Sequence, residues 1–431
     1  MFGLNRFGDG FSIPRILAFF DAHKIDVADL SRRSIAATGT NGKGSTARFL
    51  AGALEATGLR VGVFTSPHLF DVRERIAIGD TLIPADALDR HAKTVLAFND
   101  TLPANGRMGA FELLFLVAIL WFRDQAPDAI VWEAGIGGRY DAVRTVGAKL
   151  SVLTSVELEH TEILGPTEEL IACDKVDALA AGGRLVISPA VSPRLLPVIE
   201  SYARLADRTC HLATENRQVG RVTNTADGAS FSLAGMGAKS QTVRLQLIGA
   251  HQVQNALTAL RAAELWLADS LTPQLQARML DAIGQVRWAG RLERVARSPD
   301  LWIDVAHTPG AVEQVADAFL EFVPREKVLV VFGAAASKQA PRMAAAAAER
   351  FDDIILTCPY SASADVGQLA SVISQRSRRV VIERDVAAAV RLVRQRATSE
   401  GKSIIALGGT LLAAKMQHAW TGGDPDTLEF L

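Results

Sequence analysis

The chain has 431 residues, of which 49% are hydrophobic and 22% are charged, and its formal net charge is -1. This length and apolar content predict two or three folded domains with sizeable cores, and they exclude a disordered chain. The balanced charge argues against a nucleic-acid-binding protein, which usually carries a basic excess or patch.

Cysteine spacing and apolar runs indicate the compartment. The three cysteines, Cys173, Cys210 and Cys358, are far apart and form no CxxC pair, which argues against a zinc cluster or a disulfide framework. Residues 1–29 have scattered charge and no continuous apolar core, so we do not expect a signal peptide. The longest apolar run, residues 113–122, is much shorter than the roughly 20 residues that a membrane span needs. We therefore expect a soluble cytoplasmic enzyme.

The first elements in chain order form a unit that is typical of a parallel sheet. After a helix at residues 13–23, an apolar strand at 34–38 leads into a glycine-rich loop. A helix with one apolar stripe follows at 45–57, and a second strand at 60–65. The order of strand, glycine loop, helix and strand predicts parallel strands joined by a crossover helix.

The same alternation continues along the chain. We predict helices at 111–123 and 167–181, and strands at 129–133, 150–155 and 184–188. Short polar–apolar alternation over residues 209–247 predicts antiparallel strands. Two helices then follow, at 252–268 and 275–282.

A second set of alternating elements begins near residue 288. Its predicted strands are 301–305, 327–332, 353–357, 379–382 and 403–407, and the helices between them include 341–350 and 386–397. We therefore predict an α/β fold with two domains. A P-loop ATPase domain with a parallel sheet covers residues 1–287, and a smaller Rossmann-like α/β domain covers residues 288–431.

The segment between the first strand and the first long helix has the composition of a phosphate-binding loop. It consists of Gly39, Thr40, Asn41, Gly42, Lys43, Gly44 and Ser45. Glycines let backbone N–H groups converge on phosphate oxygens, the next helix adds the positive end of its dipole, and a lysine neutralises the outer phosphates. Compared with GxxxxGK[ST], alanine replaces the first glycine and Gly44 is inserted. A plain glycine turn before a helix is the alternative, but the strand–loop–helix context favours an ATP site.

Seven segments together resemble the Mur ligase superfamily and, more narrowly, the folylpolyglutamate synthase and dihydrofolate synthase family. They follow the order of that family's signatures, at residues 38–46, 65–76, 133–142, 154–175, 249–256, 290–293 and 304–309. The resemblance implies a ligase that uses ATP to turn a carboxylate into an acyl phosphate, which the amine of an amino acid then displaces. It also implies two nucleotide-binding domains that close on each other and exclude water.

The resemblance implies a metal site and a catalytic set. Two magnesium ions would be held by Ser66, Glu133 and His160, and by Lys175 in the form of a carbamate, which gives lysine a carboxylate-like ligand. The implied catalytic residues are Lys43, Glu133, His160 and Lys175.

The nucleotide and acid sites are implied in the same way. Besides the loop, the nucleotide would contact Asn255, Arg291, Asp304 and His307. The acid substrate would be received by Phe111, Tyr140, Asp141 and Ala142, and Arg144 adds a fixed cation where an anionic substrate would lie.

Taken singly, several of these residues have a plainer interpretation. His160 would be a surface or capping histidine, Lys175 a lysine on a helix face, and Asp141 the cap of a turn. Glu133 ends an apolar strand, where a buried carboxylate is costly without a partner. The order of the signatures favours functional roles for Glu133, His160 and Lys175, whereas both interpretations of Asp141 stay open.

The sequence departs from the family pattern around the substrate motifs. Val143 and Arg144 stand where the family has Thr-Asn, Glu159 replaces an aspartate, and Val305 and Thr308 alter the last signature. Three functions follow: addition of L-glutamate to dihydropteroate or folate, ligation of an amino acid to a non-folate acid in specialised metabolism, and ATP binding without ligase activity. We favour the first. The expected partners are a small carboxylic acid and an amino acid, without nucleic acid or membrane, and the expected state is a monomer.

Overall fold

The predicted strand–loop–helix unit lies at the centre of an eight-stranded sheet. The computed structural model describes residues 13–235, 240–337, 339–377 and 379–428, so part of the segment tested for a signal peptide lies outside the described residues. The strands are β1 (Ser34–Thr38), β2 (Val61–Phe64), β3 (Ile76–Ile78), β4 (Thr81–Leu82), β5 (Ala129–Glu133), β6 (Leu150–Leu153), β7 (Arg184–Ile187) and β8 (Thr209–Leu212). Their order is β4-β3-β2-β5-β1-β6-β7-β8, and only the β2–β3 and β3–β4 pairs are antiparallel. β1, which leads into the glycine loop, therefore lies between β5 and β6.

Helices cover both faces of this sheet, as its nearly continuous buried apolar strands require. These helices and their neighbours are α1 (Ile13–Ala22), α2 (Val27–Arg33), α3 (Lys43–Glu55), α4 (Ala85–Thr101), α5 (Ala110–Gln125), α6 (Thr161–Leu164), α7 (Glu168–Val176), α8 (Leu196–Arg204), α9 (Ala250–Leu267) and α10 (Pro273–Gln285). One face packs against α3, α9 and α10, and the other against α1, α4 and α5, while α7 and α8 cover the end near β7.

A small antiparallel sheet follows the large one. It contains β9 (Arg217–Val219), β10 (Thr223–Thr225), β11 (Gly228–Gly235) and β12 (Gln241–Leu245). The prediction of antiparallel strands over 209–247 is correct for these four and wrong for β8, which pairs in parallel with β7. The reason is that α8 lies between β7 and β8, and a helical crossover of this kind joins parallel strands.

The last part of the chain forms a third sheet of six strands. They are β13 (Glu293–Ala296), β14 (Leu301–Ile303), β15 (Val328–Phe332), β16 (Asp353–Leu356), β17 (Arg379–Ile382) and β18 (Ser403–Leu407), in the order β13-β14-β18-β15-β16-β17. Only β13 is antiparallel to its neighbour. Helices on both faces are α11 (Pro309–Leu320), α12 (Ala340–Arg350), α13 (Val366–Ser374), α14 (Val386–Glu400) and α15 (Thr410–Trp420). The predicted α/β fold class is confirmed, and we propose that the domain boundary lies between residues 287 and 288, shortly before β13.

Several helices differ from the sequence prediction, which also lacks α2, α6, α8 and α15. The helix predicted over 167–181 ends at Val176, because the next residue, Asp177, turns its carboxylate to Arg139 and Arg208. α4 was not predicted, because the stripe that it buries includes His91 and Asn99 instead of apolar residues alone. Throughout the part of the chain that the structure describes, every helix is too short or too polar to cross a bilayer.

Candidate functional site

The carboxyl ends of three neighbouring strands meet at one edge of the large sheet. Ala37 in β1 lies opposite Glu133 in β5, and Thr38 lies opposite Leu153 in β6. The glycine loop, Glu133 and the residues after β6 are therefore brought together, although they are far apart in sequence. A cavity of about 200 Å³ opens here, at the position where α/β folds bind ligands.

The glycine loop is held tightly against the end of β6. The N–H groups of Thr40 and Asn41 donate to Ser155 O and Ser155 Oγ, each at 2.9 Å, and Thr154 Oγ1 donates to Asn41 O at 2.6 Å. Gly42 has φ +84° and lies against Asn255, so that a Cβ there would collide with the Asn255 amide. The conformation that this loop adopts therefore requires glycine at that position.

Lys43 is the first residue of α3 and folds over the loop. Its Nζ donates to the carbonyls of Gly39 and Thr40 at 3.0 Å each. Below it, the hydroxyls of Ser45 and Thr46 are buried and have no hydrogen-bond partner within the described residues. Buried hydroxyls normally find a partner, and Ser45, which lines the cavity, fits a phosphate oxygen or a metal ion at the helix N-terminus.

Glu133 ends β5 on the wall of the cavity and is only 4% exposed. Its Oε2 accepts a hydrogen bond from the backbone N–H of Ser66 at 2.8 Å. Burial raises the pKa of Glu133, and the positive charge of Lys43 and the Ser66 hydrogen bond oppose that rise. The inserted Gly44 lets the carboxylate approach the loop, because a Cβ there would lie 3.2 Å from Glu133 Oε2.

The predicted metal ligands are only partly brought together. Ser66, Glu133 and His160 line the same cavity, whereas Lys175 lies in α7 outside its lining. Nowhere in the described ranges do three His, Cys, Asp or Glu side chains come close enough to hold a metal by themselves. The hard oxygens of Glu133 and Ser66 still fit magnesium, provided that phosphate oxygens complete the shell.

Lys175 is nearly completely buried, with 3% of its surface exposed. Burial and, after it, the positive charge of Lys43 lower the pKa of Lys175 to about 7, against the opposing charges of Glu159, Asp174 and Asp141. A large part of the amine is therefore neutral near pH 7, and the neutral form is the nucleophile that carbamate formation needs.

The third sheet contributes the opposite wall of the cavity. Arg291, Asp304 and His307, which the resemblance assigns to the nucleotide, line this wall. Asp304 accepts from the N–H groups of Leu292 and Ala306 at 2.7 Å each, and burial raises its pKa to about 6 against the positive charge of Arg291. Burial lowers the pKa of Arg291, and the charges of Asp304 and Glu133 oppose this.

The residues predicted to receive the acid lie elsewhere. The Asp141 carboxylate accepts from the N–H groups of Gly135, Ile136 and Val143 at 2.9 to 3.0 Å, which stabilises the turn after β5. Ala142 is part of the core beneath, and Phe111 packs its ring against Gly135. Tyr140 is 48% exposed, and Arg144 donates to the Arg139 carbonyl at 2.8 Å. Among the described residues, neither Phe111 nor residues 140–144 line the cavity of about 200 Å³ or the second cavity beside it.

The adjoining cavity has a volume of about 220 Å³ and was not predicted from the sequence. It shares Pro67, Arg291, Val305 and Thr410 with the first cavity, and its other walls are mostly apolar. The guanidinium of Arg48 lies 5.7 Å from the ring centroid of Trp288 at its edge. One signal was available, since Arg48 lies one turn beyond the glycine loop.

Two further residues of the first cavity were missed. His251 lies inside a quoted signature, and burial lowers its pKa to about 4, so its ring is neutral at pH 7. Glu157 lies within the fourth signature, residues 154–175, and its side chain contacts Asn41 of the glycine loop. Nothing in the local pattern distinguishes Glu157 from a surface carboxylate.

Comparisons with known proteins agree on one family. Residues 290–410 match the family model of the Mur ligase, glutamate ligase domain. The chain is 30% identical over 311 residues to the dihydrofolate synthase/folylpolyglutamate synthase of Bacillus subtilis. The aligned region covers 71% of this chain and 72% of that protein. It is 33% identical over 399 residues to a probable bifunctional folylpolyglutamate synthase/dihydropteroate synthase of Halobacterium salinarum, and it spans only 46% of that relative's length. A solved structure of folylpolyglutamate synthase from Mycobacterium tuberculosis complexed with ADP matches with a TM-score of 0.85 and 27% identity, over 97% of this chain and 96% of that one.

Proposed function

We propose that this chain, which belongs to the dihydrofolate synthase/folylpolyglutamate synthase family of Mur ligases, is an ATP-dependent ligase that adds L-glutamate to dihydropteroate or to a folate. The observation that carries the proposal is the convergence of two separate sheets on one cavity. Lys43 and Glu133 come from the first sheet, and Arg291 and Asp304 from the third. Both halves of the chain thus face the place where the nucleotide would lie.

The proposed reaction has two steps. An oxygen of the substrate carboxylate attacks the γ-phosphorus of ATP, the bond to the β-phosphate oxygen breaks, and ADP leaves. The amine of glutamate then attacks the acyl carbon, inorganic phosphate leaves, and the nitrogen loses a proton to give the amide. Phosphoryl transfer depends mainly on alignment and charge neutralisation, which the N–H groups of the loop and Lys43 supply. The wall with Arg291 and Asp304 shields the acyl phosphate from water.

Magnesium and a lysine carbamate are part of the proposal. Ser66, Glu133 and His160 would hold magnesium together with phosphate oxygens, and the ion would neutralise charge on the transferred phosphoryl group. Lys175 would become a second metal ligand if its neutral amine adds to carbon dioxide, which forms an N–C bond and releases one proton from the nitrogen. The buried Ser45 hydroxyl, which has no hydrogen-bond partner within the described residues and lines the cavity, supports an ion or a phosphate beside the glycine loop.

The adjoining cavity is the proposed site of the acid. Its mostly apolar walls suit a flat aromatic ring system, and the cation of Arg291 suits the carboxylate of such a substrate, whereas Arg48 is already paired with Asp80 at 3.2 Å. It shares four lining residues with the first cavity, which is the proposed nucleotide cavity, so a carboxylate bound here would lie near the γ-phosphate. On this proposal, residues 140–144 stabilise the turn that follows Glu133. The assignment of these residues to the acid site, which the sequence resemblance implies, is the alternative proposal.

One assay separates the three functions. Purified protein is incubated with ATP, magnesium, glutamate and either dihydropteroate or a reduced folate, while ADP release and amide mass are followed. Amide formation matched by ADP release would support the proposal. ADP release that requires a different acid would favour a ligase of specialised metabolism, and ADP binding without turnover on a panel of acids would favour a silent relative. We also propose a monomer located in the cytoplasm, which light scattering and cell fractionation would test.

A further inference from the structure

Asn41 of the glycine loop lies at a junction of three chain segments. Its side-chain Nδ2 donates to Glu157 Oε1 at 2.8 Å, in the segment after β6, and to Thr308 Oγ1 at 3.0 Å, at the start of α11. The Thr308 hydroxyl also donates to Glu157 Oε2 at 3.4 Å. Each of the three side chains therefore contacts the other two, and Thr308 belongs to the part of the chain that carries the third sheet.

The backbone of Asn41 is fixed independently of this triangle. Its N–H donates to Ser155 Oγ at 2.9 Å, and its carbonyl accepts from Thr154 Oγ1 at 2.6 Å. The backbone bonds and the triangle therefore hold the same loop residue to the chain after β6, and the triangle is a second restraint on the conformation of the loop. The neighbouring loop carbonyls are those that accept from Lys43 Nζ, so the loop and its lysine form one unit.

Glu157 packs closely against the first turn of α11. A Cβ at Gly310 would lie 3.0 Å from Glu157 Oε2, so the close approach depends on the small residue there. The positive end of the dipole of a 12-residue helix favours a carboxylate in this position. Thr308 caps the same helix by accepting from Ala311 N at 3.2 Å, and only 2% of it is exposed. Its hydroxyl thus joins helix α11 to Glu157.

The segment that begins with Glu157 makes two more contacts with the third-sheet part of the chain. Gln339 Nε2 donates to Leu158 O at 2.8 Å, and Glu159 Oε1 lies 3.7 Å from His307 Nε2. His160 follows with φ +49° and lines the nucleotide cavity. Residues 157–159 therefore each contact the part of the chain that carries the third sheet, and the next residue, His160, lines the cavity of the proposed metal site.

We propose that Glu157 is a positioning residue that couples the docking of the third-sheet domain to the shape of the glycine loop, through Asn41 and Thr308. The inference rests on the proposed function, because it links tight nucleotide binding to the closed arrangement in which an acyl phosphate would be shielded. Glu157 itself touches neither of the reacting atoms in this scheme. It acts by holding Asn41.

Titration calorimetry with ADP and magnesium tests the coupling. Glu157→Ala and Thr308→Val are each expected to raise the Kd for ADP about tenfold. The double variant is expected to bind no more weakly than the weaker single variant, because both changes break one triangle. Thr308→Ser keeps the hydroxyl and is expected to bind ADP as the unchanged protein does. Glu157→Gln keeps the length and one acceptor for Asn41, and it tests the role of the charge if the alanine variant does not fold.

Glu162→Gln serves as the matched control, since Glu162 is an exposed carboxylate in α6. An ADP Kd unchanged in both Glu157→Ala and Thr308→Val would overturn the inference. Fully additive losses in the double variant, or a loss in Thr308→Ser equal to that in Thr308→Val, would overturn it as well. The titration needs no acid substrate, so a negative ligase assay with normal ADP coupling would contradict the proposed function alone.

Discussion

The carboxylate of Glu133 accepts a 2.8 Å hydrogen bond from the backbone N–H of Ser66. This bond ties the end of β5 to the segment that follows β2, and both residues line the nucleotide cavity. It fixes the direction of a buried charge beside Lys43. The positions of the two residues explain why a strand that is otherwise apolar ends in an acid.

Glu133→Gln is expected to lower kcat by on the order of 100-fold. Glutamine keeps an acceptor for the Ser66 N–H but removes the charge that would bind magnesium, so the variant should also need a higher magnesium concentration. Steady-state ADP release measured across a magnesium series checks both effects. Glu200→Gln, an exposed carboxylate in α8, is the control. A kcat within twofold of the unchanged protein would remove Glu133 from the metal site.

Lys43→Ala is expected to lower kcat by roughly 100- to 1,000-fold, because the lysine neutralises charge that develops on the transferred phosphoryl group. The folded structure should persist, since Lys43 Nζ bonds only loop carbonyls among the contacts described for it. ADP release at saturating ATP measures the effect. Lys149→Ala removes an exposed lysine that bonds the Ala181 carbonyl and should leave kcat unchanged. Equal activities of the two variants would contradict the role of Lys43.

Gly42→Ala is expected to weaken ATP binding at least tenfold. Alanine at φ +84° is strained by about 1–2 kcal/mol, and its Cβ would collide with Asn255. The Kd of a non-hydrolysable ATP analogue checks this. Gly106→Ala is the matched control, because a Cβ there would meet only Pro103, at 3.8 Å or more, and its φ is not in the left-handed region. Normal binding by Gly42→Ala would mean that the loop does not hold the phosphates in this conformation.

The stability of the unliganded protein should depend on pH through Asp141. Burial raises the pKa of Asp141 to about 6, whereas an unfolded aspartate titrates near 3.9. Between these values the folded state binds more protons, so this group's contribution to the free energy of unfolding falls as pH rises from about 4 to 6. Asp141→Asn removes the titration. Urea unfolding at several pH values gives the free energy of unfolding of both proteins. As pH rises from about 4 to 6, this free energy should fall in the wild type relative to the variant. A difference that stays constant with pH would refute the assignment.

The nucleotide loop illustrates what the sequence predicts well. Residues 39–42 follow a fully buried apolar strand, and Lys43, Gly44 and Ser45 form the first turn of α3, which begins two residues before its predicted start. Glycine conformations, helix starts and buried strands depend on near neighbours in the chain, so a local pattern is sufficient to predict them. Glu133 was identified for the same reason, because an acid at the end of an apolar strand is a local anomaly.

Asp141 and Arg48 illustrate what local patterns miss. The carboxylate of Asp141 serves the backbone of its own turn, and whether a signature residue caps a turn or faces a ligand depends on where that turn points. Arg48 and Trp288 meet at the edge of a cavity although 240 residues separate them, because the chain before β13 packs against the cluster that contains α3. The acid site therefore had to be inferred from shape.

The sequence by itself determined the phosphate loop, the α/β class and the family, because each depends on short segments whose order along the chain carries the information. Only the tertiary structure decided that Asn41 contacts Thr308, 267 residues away, and that Glu157 lies between them. Such contacts depend on how two separately folded sheets pack together. Hydrophobic periodicity and turn chemistry describe each sheet alone, so they do not predict which residues meet at the interface between the sheets, where this site is completed.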